Sequence, residues 1–110
     1  MTRSMSLVLV CTALAFFNAQ AQARDAAAGK QKAGQVCNVC HGANGLSTLP
    51  NAPHLAGQPA IYFAEQMKAY RSGKRSQEMM TVIAKALSDA DIENLAVWYE
   101  SIKVTAEAPK

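Results

Sequence analysis

The stretch Cys37-Asn38-Val39-Cys40-His41 is the most specific chemical pattern in this chain of 110 residues. It reads C-x-x-C-H, the attachment signature of c-type haem. Residues three apart lie on one face of a helix, so both thiols can reach one edge of a single porphyrin and form thioether bonds with its two vinyl groups. His41 follows directly and can lie beneath the iron as the proximal ligand. The motif therefore predicts one covalently bound haem c and its iron.

Three other uses of the two cysteines fit the sequence less well. A thioredoxin-like redox site needs a βαβ context, and no strand pattern precedes Cys37. A closed zinc site needs four nitrogen or sulfur ligands. Outside the first 23 residues only His54 could add a ligand to those of the motif. A structural disulfide would give His41 no role. These comparisons favour haem attachment through Cys37 and Cys40.

The first 23 residues have the pattern of a secretory signal peptide. Arg3 provides a basic start, residues 7–17 form an apolar segment, and Ala21-Gln22-Ala23 is a cleavage site of the A-x-A type. The apolar segment is too short to span a membrane. The sequence therefore predicts a periplasmic protein with no membrane span in its mature chain.

Cleavage after Ala23 leaves one domain over 24–110 and discards Cys11, and cleavage after Ala21 is the alternative. The full chain carries a formal net charge of +3, and Arg3 leaves with the signal peptide. The propionate groups of a haem would cancel the small positive net charge of the mature chain. Net charge therefore does not indicate a nucleic-acid partner. A domain of this size often needs a cross-link or a cofactor to stabilise its small core.

The mature chain is predicted to be all-α, with three main helices and long loops wrapped around one haem. Asp25 can cap a first helix, and the alanines at 26–28 are strong helix formers. The small or apolar stripe of this helix consists of Gly29, Ala33, Val36, Cys37 and Cys40. A second helix is expected from Pro59, a good first residue, to Gly73, a good terminator.

The last helix has the best-marked start. Ser88 is the expected N-cap and Asp91 stands three residues later, close to a capping box, while Leu87 and Ile92 can form a hydrophobic staple. Its predicted apolar stripe consists of Ile92, Leu95, Ala96, Tyr99 and Ile102.

Between the helices we expect loops over 42–58 and 73–81 and a short helical turn over 82–87. Gly29 and Gly34 weaken the first helix, and a close approach by another helix or by the haem would explain them. The alternative for Gly34 is that the helix merely tolerates it.

The sixth ligand of the iron remains open among four side chains. A methionine thioether opposite a histidine is typical of electron-transfer cytochromes c, and Met79 or Met80, on the second predicted loop, could approach the far face. Adjacent residues cannot both point at the iron. Met67 falls on the apolar stripe of the second helix and is expected in the core, whereas His54 offers a bis-histidine alternative. An open iron would indicate ligand binding or catalysis.

Together these features resemble the class I c-type cytochromes, in particular the small periplasmic monohaem members and single domains of the bacterial dihaem cytochromes c. The resemblance covers nearly the whole mature chain. Its matching stretches are residues 37–42, 53–58, 79–80 and 87–92.

The resemblance implies the small cytochrome c fold and a role for each matching residue. Cys37 and Cys40 would hold the thioethers, and His41 would be the proximal ligand. The carbonyl of Pro53 would accept a hydrogen bond from the His41 imidazole. Met80 would be the axial methionine, with Met79 the second choice.

The same resemblance places Gly29 against the Trp98–Tyr99 region, where the first and last helices of the family cross. Two positions depart from the family pattern. His54 stands where relatives more often carry lysine, and Gly34 stands where relatives commonly carry a bulkier residue.

The function expected from this resemblance is one-electron transfer by a carrier that is not an enzyme. The alternative is a haem c subunit that relays electrons within a larger oxidoreductase. We expect a basic side that docks an acidic surface of a redox protein, and a separate acidic side. The basic side would carry Lys68, Arg71, Lys74, Arg75 and Lys85. The acidic side would carry Asp89, Asp91, Glu93 and Glu100.

Overall fold

The structure is a computed structural model that describes residues 23–110. The basic start, the apolar segment and Cys11 of the predicted signal peptide lie outside these residues. The described chain folds into helices joined by loops, without a strand, which confirms the all-α prediction. None of the helices in this part is both long and apolar enough to cross a membrane. The helices are α1 (Ala26–Val36), α2 (Asn38–His41), α3 (Ala60–Ser72), α4 (Glu78–Lys85) and α5 (Asp89–Ser101).

The first helix begins as predicted but ends earlier. The Asp25 side chain accepts hydrogen bonds from the backbone N–H groups of Ala27 and Ala28. The predicted stripe is wrong at Val36, which is 37% exposed. The single helix predicted to carry it is interrupted by a turn at Cys37 that separates α1 from α2. The turn directs Cys37 and His41 inward, and both are buried.

Helix α1 crosses α5 at Gly29, as the family resemblance implies. A β-carbon at Gly29 would overlap the carbonyl oxygen of Asn94 and lie 2.8 Å from Cβ of Trp98. Gly34 is different, because it is exposed and its one neighbour within 4 Å is the Asn38 side chain of α2. The expectation of a close helix approach is therefore confirmed for Gly29. No helix comes close at Gly34, where an approach by the haem stays a prediction.

Helix α5 supplies the centre of the core. Ile92, Leu95, Ala96 and Tyr99 have no exposed surface. At its start the predicted capping box is confirmed: the Asp91 N–H donates to Ser88 Oγ over 3.0 Å, and the Ser88 N–H donates to Asp91 Oδ2 over 3.1 Å.

The boundaries of α3 agree with the prediction to within one residue. Pro59 is the N-cap rather than the first helical residue, and Gly73 ends the helix at a φ of 84°, which favours glycine. Pro59 has no polar side chain to cap the helix. The carboxylate of Glu100 on α5 takes this role and accepts the N–H of Ala60 over 2.9 Å.

The predicted loop over 73–81 is wrong in its second half, because α4 begins at Glu78. The Gln77 side chain accepts the N–H of Met80 over 2.7 Å and so caps the helix. Glu78 in the first turn and Lys85 in the last also suit the helix dipole. Met79 and Met80 consequently stand on the first turn of a helix rather than on a flexible loop.

The helix crossing provides a stability test with a matched control in the same helix. We expect Gly29→Ala to lower the free energy of unfolding by about 3 kcal/mol, because the added methyl must displace the α5 backbone. Gly34→Ala should instead raise it by about 0.5 kcal/mol through helix propensity. Urea unfolding of both haem-loaded variants measures the difference, and equal effects would contradict the close crossing.

Candidate haem site

The two cysteines of the motif are free thiols in this structure. Cys37 is buried on the turn after α1, and Cys40 is partly exposed on α2. Burial raises the pKa of the Cys37 thiol. The pair therefore presents two reduced sulfurs one helical turn apart, as thioether formation requires.

His41 has a fixed orientation beside these sulfurs. The ring is buried, and its Nδ1 donates to the carbonyl oxygen of Pro53 over 2.8 Å. Because a carbonyl can only accept, this bond places the proton of the neutral ring on Nδ1 and leaves the lone pair of Nε2 for a metal. A hydrogen bond of this kind also raises the basicity of a metal-bound imidazole.

The predicted loop over 42–58 carries Pro53 and is held by backbone hydrogen bonds. The carbonyl of Gly45 accepts the N–H groups of Leu55 and Ala56 over 2.7 and 3.0 Å. Gly57 donates its N–H to the carbonyl of Tyr99 over 2.9 Å. The loop that positions the Pro53 carbonyl is thereby closed on itself and tethered to α5.

His54 lies on the same side as Pro53 and is exposed. Its Nδ1 accepts the N–H of Ser47 over 2.9 Å. The Pro53 carbonyl stands behind Nδ1 of His41, on the side away from the Nε2 that a metal would use. His54 directly follows the residue that holds this far edge of the His41 ring, and its Nδ1 is already occupied by Ser47. Both observations disfavour the bis-histidine alternative.

The three candidate methionines have different environments. Met67 is 5% exposed and part of the core, which confirms its predicted place. Met80 is half-buried and packs against the core, whereas Met79 is 57% exposed. Of the two neighbours on α4, Met80 is the one directed toward the protein interior.

The donor set of this site fits haem c. It offers two reduced thiols on one turn, a buried imidazole with one nitrogen left for iron, and a partly buried thioether on another helix. It does not fit a metal ion held by side chains alone, since residues 23–110 contain no group of three or more His, Cys, Asp or Glu with that geometry.

Tyr99, which the sequence placed on the core stripe and at the helix crossing, is fully buried. Its hydroxyl has no hydrogen-bond partner within the described chain, although a buried phenol normally has one.

Ion pairs between helices contradict the predicted separation of charge. Lys68 on α3 lies 2.9 Å from Glu93 on α5, and Arg71 on α3 pairs with Asp89. Arg71 also lowers the pKa of Asp89, first through its hydrogen bond and then through its charge. The prediction of one basic and one acidic side is therefore wrong, because α3 and α5 pack side by side and their charges alternate.

Three of the five predicted basic residues keep unneutralised charge. Lys74, Arg75 and Lys85 form no ion pair with any carboxylate of the described chain. Arg75 is held in place, because it donates to Gln66 Oε1 over 2.8 Å and its guanidinium lies 4.6 Å from the centroid of the Tyr70 ring.

Comparisons with known proteins agree with this site. A family model described as cytochrome c oxidase, cbb3-type, subunit III matches residues 24–98. Cytochrome c4 of Pseudomonas aeruginosa is 43% identical over 102 residues, which cover 93% of this chain and 48% of that protein. Cytochrome c-554(548) of Halomonas halodenitrificans is 45% identical over 82 residues, which cover 72% of this chain and 98% of that protein.

The fold agrees as well. The crystal structure of reduced recombinant cytochrome c4 from Pseudomonas stutzeri matches with a TM-score of 0.68 and 38% identity, over 74% of this chain and 47% of that chain. This chain thus spans about half the length of the cytochrome c4 proteins it matches. The predicted small cytochrome c fold is confirmed, and the chain belongs to the class I c-type cytochromes, whose cofactor is covalently attached haem c with its iron.

Proposed function

We propose that this chain carries single electrons in the periplasm on one haem c, attached to Cys37 and Cys40 and ligated by His41 and Met80. The observation that carries the proposal is the buried His41 ring, which directly follows two free thiols and is held by Pro53. The haem supplies an iron that cycles between the ferric and ferrous states.

The protein's part is to hold the ligands still and to keep water away. Pro53 fixes the imidazole plane, and α4 holds the thioether of Met80 on a helix, so little needs to move when the charge changes. A methionine ligand also raises the reduction potential. With both axial positions filled by side chains, no coordination site is left for a substrate, which supports a carrier rather than an enzyme.

We propose redox proteins with an acidic docking surface as the partners. Lys74, Arg75 and Lys85 are the cations available for this contact, and the stacked, hydrogen-bonded Arg75 needs little ordering when it binds. Electron-transfer encounters use small interfaces in which charge mainly speeds association.

The domain organisation remains a proposal too. It consists of a signal peptide over 1–23, cleaved on export, and a cytochrome domain over 24–110. The start of the family match at residue 24 supports this boundary.

The second candidate function is a haem c subunit within a larger oxidoreductase. It is favoured by the matching family model, whose description names an oxidase subunit. Size-exclusion chromatography of a gently solubilised native extract separates the two functions. We expect the haem-stained protein to elute near its own mass, and co-elution with a stable high-mass complex would favour the subunit.

Axial ligation by Met80 can be tested in the visible spectrum. Sulfur ligation to ferric haem c gives a weak absorption band at about 695 nm. We expect this band in the oxidised wild type and in Met79→Ala, and its loss in Met80→Ala. Loss of the band in Met79→Ala alone would assign the ligand to Met79, and a high-spin wild type would contradict methionine ligation.

Docking through the unneutralised cations can be tested by charge reversal. We expect Lys74→Glu combined with Arg75→Glu to slow reduction by an acidic flavodoxin about tenfold at low salt, because the attraction that steers association is lost. The rates should converge at high salt. Stopped-flow kinetics measures both, with Lys103→Glu on the exposed C-terminal tail as the control. An unchanged salt dependence in the double variant would contradict this docking surface.

A further inference from the structure

The His54 ring makes a directed hydrogen bond that the haem site described so far does not use. Its Nδ1 lies 2.9 Å from the backbone nitrogen of Ser47. Because a backbone N–H can only donate, Nδ1 is the acceptor, and the proton of the neutral ring is on Nε2. This tautomer is the opposite of the one in His41, whose Nδ1 donates to Pro53.

The side chain of Ser47 binds the haem motif itself. Its Oγ donates to the carbonyl oxygen of Cys40 over 2.9 Å and accepts the N–H of Leu49 over 3.0 Å. Ser47 is partly buried beside the motif, whereas His54 is exposed. Through Ser47, the residue after Pro53 is therefore connected to the residue before His41.

These contacts complete a closed ring around the proximal ligand. Peptide bonds join Cys40 to His41 and Pro53 to His54. Hydrogen bonds close the ring from His41 to the Pro53 carbonyl, over 2.8 Å, and from Ser47 to both remaining members. Loss of any one bond in such a ring lets the others lengthen. The distance between His41 and the Pro53 carbonyl therefore depends on the bond that His54 accepts.

The loop has a second anchor that does not involve His54. The carbonyl of Gly45 accepts the N–H groups of Leu55 and Ala56 over 2.7 and 3.0 Å. These backbone bonds keep the loop folded when the side chain of His54 is changed. The side chain of His54 thus adjusts the position of the Pro53 carbonyl and is not needed for the fold.

We propose that His54 is a positioning residue for the proximal ligand, which holds the Pro53 carbonyl against His41 through Ser47 and thereby lowers the reduction potential. The proposal rests on the proposed ligation of the iron by His41. A hydrogen bond from a metal-bound imidazole to a carbonyl raises the basicity of the imidazole. A more basic ligand stabilises the ferric iron more than the ferrous iron, because the ferric iron carries the higher charge.

The test is a redox titration of haem-loaded His54→Leu and His54→Asn at about pH 8, where an ordinary histidine is neutral. Leucine cannot accept the N–H of Ser47, whereas asparagine offers its Oδ1 close to the place of the histidine Nδ1. At a fixed ambient potential, we expect the ratio of ferrous to ferric protein to rise about threefold in His54→Leu, because the ligand becomes less basic. His54→Asn should keep the wild-type ratio.

A second readout follows the hydrogen bond directly. We expect the Nδ1 proton of His41 to exchange with water faster in His54→Leu than in the wild type, as measured by NMR on the diamagnetic ferrous protein. Ser47→Ala removes the bond to Cys40 and should change the potential and the exchange rate in the same directions. Thr48→Ala, at the exposed neighbouring position, is the control and should change neither.

Equal potentials and exchange rates in the wild type and His54→Leu would overturn the role of His54 and leave the carrier function standing. An equal shift in His54→Asn would also overturn it, because the accepted hydrogen bond would then not be the cause. A high-spin spectrum in His54→Leu alone would make His54 an axial ligand and overturn it as well. A high-spin wild type would instead contradict the proposed ligation, and the role of His54 with it.

Discussion

The approach of α1 to α5 at Gly29 is the constraint on which the haem site depends. Because only a hydrogen atom fits between Gly29 and the backbone of Asn94, the two helices come close together. Cys37 stands at the end of α1 and belongs to the same core cluster as the buried residues of α5. A side chain at Gly29 would push the two helices apart and so disturb the core around this cysteine.

Helix α5 also satisfies backbone groups that their own segments leave unpaired. Asn94 Oδ1 accepts the N–H of Asp25 before α1, and Glu100 accepts the first N–H of α3. The carbonyl of Tyr99 accepts Gly57 of the loop that carries Pro53. The orphan donors at helix starts need such partners. Helix α5 therefore holds the starts of α1 and α3 and the loop whose Pro53 carbonyl binds His41.

The features that were predicted well from the sequence are those that depend on residues close together in the chain. The C-x-x-C-H motif, the capping box at Ser88 and the core stripe of α5 each depend on residues a few positions apart. The start of α4 was missed because Gln77, a residue with little N-cap preference, caps it. The alternation of charge was missed because pairs such as Lys68 with Glu93 exist only when α3 and α5 pack together.

The burial of Cys37 has a consequence for the order in which the holoprotein assembles. Cys37 is 8% exposed and belongs to the same core cluster as the buried residues of α3 and α5. A thiol within a closed core is poorly accessible to a large reactant. Attachment of haem at Cys37 is therefore expected to come before the helices close around this cysteine.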